Sequence, residues 1–111
     1  MSRITTHILD TAKGCPASGV RVLLEQKKGA DWFRISDGTT DLDGRVSDLT
    51  EGHDLEAGCF KLTFELDSYF SPQGRNSFYP EASIVFNTTD KDHYHVPLLL
   101  TDFGYTTYRG S

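Results

Sequence analysis

The sequence predicts an all-β fold, an antiparallel two-sheet sandwich of about eight short strands with one short helix. Three observations lead there. Apolar and polar residues alternate with a period of two in one run after another, as in strands with a single buried face. Clusters of Gly, Pro, Asp and Ser separate those runs at short intervals. Only the segment from Leu66 to Phe70 is suited to closing a helical turn or two.

In chain order, residues 5–9 form the first strand, with Thr5, His7 and Leu9 on one face. After the turn Lys13-Gly14-Cys15-Pro16 come strands at 20–25 and 32–37, separated by a turn over 27–31. Asp41-Leu42-Asp43-Gly44 is a tight turn leading into Arg45, and a short strand is expected around Val46. In residues 59–66, Phe60, Leu62, Phe64 and Leu66 share one face while Lys61, Thr63 and Glu65 take the other. Ser71-Pro72-Gln73-Gly74 ends the helical segment, and strands follow at 83–87 and 94–100. Pro97 has no amide hydrogen, so the last of these is expected at an edge, a bulge or an interrupted ladder. Beyond Asp102-Phe103-Gly104, residues 105–108 make the final strand. Residues 1–111 are expected to form a single domain.

Composition narrows the partners. The 111 residues hold 11 Lys+Arg against 16 Asp+Glu, a net charge of −5. Nucleic acid and anionic lipid both call for a clustered cationic surface, so neither is expected as a partner. Apolar runs such as Leu98-Leu99-Leu100 are too short to cross a bilayer. The first residues show no signal-peptide core, which makes a cytoplasmic protein the expectation. Two cysteines cannot build a disulfide framework; Cys59 is expected buried in a strand and Cys15 free in a loop.

Chemistry rests on a few side chains. His93 and His95 are two apart on an extended segment and point to one face, while His7 lies mid-strand elsewhere. His53, in a polar stretch, reads as a solvated loop residue. With His7 as a third ligand, His93 and His95 have the spacing of a metal site. The same imidazoles suit metal-free acid–base work, because histidine changes charge near neutral pH. Mid-strand polar residues also often do no more than face solvent. Arg45, aimed by its turn, offers a planar fork for an oxygen-rich substrate, or else a salt bridge to a nearby carboxylate. Neither a Gly-x-Ser-x-Gly elbow nor a phosphate-cradling glycine loop is present, so covalent catalysis has no support. Tyr108-Arg109-Gly110-Ser111 has the look of an end packed into something.

Four stretches carry a resemblance. They are Ile4-Thr5-Thr6-His7-Ile8-Leu9-Asp10-Thr11, continuing to Gly14-Cys15-Pro16-Ala17 and Gly19-Val20; Thr40-Asp41-Leu42-Asp43-Gly44-Arg45; Phe78-Tyr79-Pro80-Glu81; and Tyr94-His95-Val96-Pro97-Leu98-Leu99-Leu100, running on through Gly104-Tyr105-Thr106-Thr107-Tyr108 to Arg109-Gly110-Ser111. Spread over essentially the whole chain, they resemble the transthyretin-related proteins, in the branch that hydrolyses 5-hydroxyisourate. The terminal Tyr-Arg-Gly-Ser marks that branch and is absent from hormone-carrying transthyretins.

The resemblance implies an eight-stranded sandwich in a homotetramer, a dimer of dimers with active sites at the dimer–dimer interface. It implies catalytic roles for His7, Arg45 and His95, and places Ser111 and Tyr108 with the substrate. His93 matches a position less tied to chemistry. The expected reaction is hydrolysis of 5-hydroxyisourate to 2-oxo-4-hydroxy-4-carboxy-5-ureidoimidazoline in urate degradation, by histidine-assisted attack of water on a ring carbonyl. No metal or organic cofactor is implied. The other reading of the same fold is a transthyretin-type carrier of a small ligand, without catalysis.

Overall fold

A computed structural model describes residues 3–47, 49–89 and 93–110. Its strands are β1 (Arg3–Thr5), β2 (Ile8–Asp10), β3 (Cys15–Pro16), β4 (Arg21–Lys28), β5 (Asp31–Thr39), β6 (Gly58–Glu65), β7 (Glu81–Thr88), β8 (His93–His95), β9 (Leu98–Leu100) and β10 (Tyr105–Thr107). The one α-helix among the described residues, α1 (Asp67–Phe70), runs directly into a 3-10 turn over Ser71–Gln73. Pro72 near the start of that turn and Gly74 in a left-handed conformation at its end account for its short length.

One sheet has the order β5-β4-β6-β7 and is antiparallel throughout. The other has the order β10-β9-β2-β3 and continues into the two-stranded pair β1-β8. Here the structure departs from a purely antiparallel sandwich, because β1 pairs with β8 and β2 with β9 in parallel. These pairs are two halves of one interrupted ladder. In the gap beside Pro97 the Thr6 hydroxyl donates to the Val96 carbonyl at 2.7 Å, satisfying an acceptor that the ladder leaves open. The interruption expected from Pro97 is therefore present. Counting each broken pair as one run leaves about eight strands among the described residues.

The alternation read from the sequence sorts the core. Phe60, Leu62 and Phe64 are wholly buried from β6, Val22 and Leu24 from β4, and Ile4, Ile8, Leu98 and Leu100 from the opposing sheet. Burial of each large side chain contributes roughly 1.5–3 kcal/mol before entropy is counted. Phe70 of α1 joins them, and Leu49 and Leu55 cap the core from the loop between β5 and β6.

Several boundaries differ from expectation. The β4–β5 turn is only Gly29-Ala30, because Lys27, Lys28 and Asp31 are paired in the ladder. Around Val46 the described residues form no strand beyond the single bridge His7–Arg45. Cys15 lies in the two-residue β3 where a turn was expected, and Cys59 is half-buried; both thiols are free. His53 is half-buried in its turn. No helix among the described residues is long and apolar enough to cross a membrane.

Candidate active site

The site is built on the interrupted ladder. From Arg3 to Asp10 the side chains alternate, with Ile4, Thr6, Ile8 and Asp10 inward and Thr5, His7 and Leu9 half-buried on the outer face. Across from them, β8 places His93 and His95 outward on either side of buried Tyr94. The parallel register sets Thr5 opposite His95. Beyond it, the Leu98 amide donates to the His7 carbonyl at 3.0 Å, which holds His7 beside the gap at Val96-Pro97.

Arg45 reaches the same edge through its turn. The Asp41 carboxylate accepts from the amides of Asp43 at 2.9 Å and Arg45 at 3.1 Å, and the Gly44 amide donates to the Asp41 carbonyl at 2.9 Å. The Ile8 amide then donates to the Gly44 carbonyl at 2.8 Å, stitching the turn onto the His7 strand. Gly44 is required twice over. Its φ is +77°, and a Cβ there would lie 2.4 Å from the Ile8 carbonyl oxygen. The ion pairs found among the described residues join Arg21 and Arg34 to Asp37, Lys61 to Glu25, and Arg75 to Asp10 and Asp102. Arg45 takes part in none of these, so no carboxylate among the described residues consumes its fork.

His95 is held on both sides. Its Nδ1 lies 2.8 Å from the Thr5 hydroxyl, and the other edge of its ring rests on Gly110. The Gly110 amide donates to the His95 carbonyl at 2.7 Å, and a Cβ at Gly110 would come within 2.7 Å of His95 Cδ2. Only a residue without a side chain lets the end of the chain approach this closely. Burial, followed by the positive charge of Arg45 and then by His93 and His7, holds the proton affinity of His95 below that of an ordinary imidazole. The ring is therefore neutral at neutral pH, with Nε2 left to act.

The structure thus brings His7, Arg45 and His95 to one outer patch beside half-buried Leu9 and Leu99. Tyr108 lines a groove of about 260 Å³ with Ile84, Phe86, Tyr94, Val96 and Arg109, none of them the three groups above. Ser111 lies outside the described residues. Among the described residues no group of three or more His, Cys, Asp or Glu side chains is placed to hold a metal ion.

Two features escaped the sequence reading. Thr5 is in contact with both outer histidines, and its only signal was its position on the His7 face. The second is a buried ion network at the far end of β2. Asp10, with no exposed side-chain surface, accepts from Arg75 at 2.7 Å, from the Tyr69 hydroxyl at 2.8 Å and from the Lys13 amide at 3.2 Å. Arg75 also bonds Asp102, tying the β9–β10 connection to β2. Burial pushes the Asp10 carboxyl up, but its hydrogen bonds outweigh that and hold it below the usual value. A charged residue at an inward position of the alternation was the available clue.

Comparison with known proteins agrees with this geometry. A family model described as the HIUase/Transthyretin family matches residues 4–110. The chain is 42% identical over 109 residues to a 5-hydroxyisourate hydrolase of Salmonella dublin, covering 97% of this chain and 80% of the relative. It is 41% identical to the enzyme of the same name from Mus musculus, covering 99% and 96%. A solved Klebsiella pneumoniae 5-hydroxyisourate hydrolase superposes with a TM-score of 0.84 at 37% identity, covering 100% of this chain and 94% of that one. Sea bream transthyretin, solved with thyroxine, superposes with a TM-score of 0.91 at 33% identity, covering 96% and 93%. With its sandwich, its interrupted parallel ladder and the residues gathered on it, the chain belongs to the HIUase/transthyretin family.

Proposed function

We propose that this chain is a hydrolase of 5-hydroxyisourate, acting in urate degradation to give 2-oxo-4-hydroxy-4-carboxy-5-ureidoimidazoline. The observation that carries this over a ligand carrier is the patch itself. Two imidazoles and a guanidinium fork with no ion pair among the described residues converge where a carrier needs a mostly apolar wall. The relatives named as hydrolases support the same choice.

In this reading a neutral imidazole takes a proton from water, and the hydroxide formed adds to the ring carbonyl. Arg45 holds the oxygen-rich edge of the substrate and offsets the charge that develops on the carbonyl oxygen. The carbon–nitrogen bond then breaks, and the leaving nitrogen takes a proton from a histidine. His7 orients water or substrate from the neighbouring strand, and Ser111 serves the substrate, while Tyr108 lies in the adjoining groove. No metal or organic cofactor is used.

We also place the site at an interface within a homotetramer. Sheet edges β7 and β10 flank the Tyr108 groove, and Phe78, Val85 and Phe103 are large apolar groups more than half exposed. Open edges with such groups favour pairing with further copies. Two free thiols fit a reducing compartment, the cytoplasm.

The test is a set of alanine variants at His7, Arg45 and His95, assayed by ultraviolet absorbance on freshly generated 5-hydroxyisourate. Each is expected to lose roughly 10²-fold or more in turnover, with the assembly unchanged by light scattering. Wild-type turnover in all three would defeat the reading.

A further inference from the structure

Thr5 faces His95 across the β1–β8 ladder, and its hydroxyl oxygen stands 2.7 Å from His93 Nε2 as well as 2.8 Å from His95 Nδ1. The two rings, with centroids 6.3 Å apart and planes inclined by 55°, are therefore joined through one oxygen. A hydroxyl has a single hydrogen, so it donates to one ring and accepts from the other. Of the two nitrogens that face it, one carries a hydrogen and one does not.

We propose that Thr5 is a positioning residue that couples the tautomer of His95 to the protonation of His93, so that the pair works as a base and then as an acid. The proposal rests on the hydrolase reading above for its chemistry, though the coupling itself is a property of the three side chains. In the resting state Thr5 donates to His93 Nε2, His95 Nδ1–H donates to Thr5, and His95 Nε2 presents its lone pair to the site. When His95 Nε2 takes a proton from water, its Nδ1–H passes to Thr5 Oγ1. The hydrogen that Thr5 held passes to His93 Nε2. Three N–H or O–H bonds form and three break. Hydroxide is released toward the carbonyl, and the positive charge ends on His93.

His95 is then neutral with a hydrogen on Nε2; as that hydrogen goes to the leaving nitrogen the relay runs back, from His93 Nε2–H to Thr5 and from Thr5 to His95 Nδ1, so the resting state returns and no imidazolate forms. The location of the charge follows from the surroundings. His95 is half-buried and meets the field of Arg45 and His7, whereas His93 is exposed, where water screens a charge from Arg3, its register partner on β1. The same coupling switches the site off in acid. Once solvent protonates His93, its Nε2–H donates to Thr5, Thr5 donates to His95 Nδ1, and Nε2 of His95 no longer has a free lone pair.

The test compares Thr5→Val, which keeps the branched shape without the hydroxyl, with Thr5→Ser, which keeps the hydroxyl. For Thr5→Val, kcat is expected to fall about 10–100-fold with KM within about threefold, a part of the acid–base contribution. The acid limb of its kcat/KM profile should move to lower pH, since it then reports His95 alone. Thr5→Ser should restore both. His93→Gln should give the same loss, and the double variant with Thr5→Val no further loss. An unshifted acid limb in Thr5→Val, or losses that multiply in the double variant, would overturn the proposal. Imidazole nitrogen NMR on the wild-type protein reads the coupling without substrate. The hydrogen on His95 should move from Nδ1 to Nε2 as His93 gains its charge, and a His95 tautomer indifferent to that titration would also overturn it. Absence of hydrolysis in the wild type would instead refute the function and leave the NMR outcome standing.

Discussion

Replacing Gly110 with alanine adds one methyl group, and the structure fixes where it must go. An ideal Cβ lies 2.7 Å from His95 Cδ2, 3.3 Å from Cγ and 3.4 Å from Cβ. Carbon atoms in favourable contact stand roughly 3.5–4.0 Å apart, so ring and backbone must separate by about 1 Å. The backbone cannot simply withdraw, because the Gly110 amide donates to the His95 carbonyl at 2.7 Å. Nor can the ring swing freely, because Nδ1 is bonded to Thr5. Overpacking of this kind costs about 1–3 kcal/mol of stability. Its effect on turnover is expected to be larger in proportion, since an imidazole displaced by about 1 Å loses on the order of 10²-fold in rate. The assay is the decay of 5-hydroxyisourate absorbance beside a denaturant titration of the same preparation. A Gly110→Ala protein with wild-type kcat/KM would show that His95 does not need its present position. A loss of rate fully explained by unfolding would refute the reasoning equally.

Other expectations follow from the same contacts. In a Thr5→Val background, where the acid limb reports His95 alone, Arg45→Gln removes the strongest positive charge acting on that ring, so the limb should move to higher pH, as read from kcat/KM between about pH 5 and 8. Arg75→Met strands the buried Asp10 carboxylate and should cost about 3–5 kcal/mol at neutral pH by denaturant unfolding. Because the folded Asp10 carboxyl is held below its ordinary value, that difference is full above the ordinary carboxylate range and is lost only as the pH falls through the lowered value of the folded protein. Exhaustive chelation should leave turnover unchanged, and a loss restored by added zinc would make the site a metal centre.

Much of this was legible because strands report themselves by alternation. Ile4, Thr6 and Ile8 inward with Thr5, His7 and Leu9 outward could be read directly, and so could the gap at Pro97. The parallel pairing of β1–β2 with β8–β9 could not, since a strand carries no mark of its partner's direction. Arg45 was legible through its turn, where Asp41 and Gly44 leave little conformational choice. Thr5 was not, because a threonine on a strand is ordinary until the partners of its hydroxyl are seen; here two lie within 2.8 Å. Arg75 meets Asp10 from 65 residues away, and only the folded chain brings them together.

The interruption of the ladder explains why the polar patch sits where it does. A continuous parallel ladder would bond the two strands at alternate residues throughout and press their outer side chains into one register. Beside Pro97 that regularity breaks, the Thr6 hydroxyl satisfies the Val96 carbonyl, and the strand ends are fastened separately to outside segments. The Gly44 turn attaches at Ile8 and Gly110 attaches at His95, so two chain segments remote in sequence reach the gap from opposite sides. Both attachments tolerate no side chain at the glycine. Gly44 thereby delivers Arg45, the residue directly after it, to the gap. On this view the two glycines and the interruption at Val96-Pro97 are the reason that an arginine and two histidines converge on an otherwise ordinary sheet.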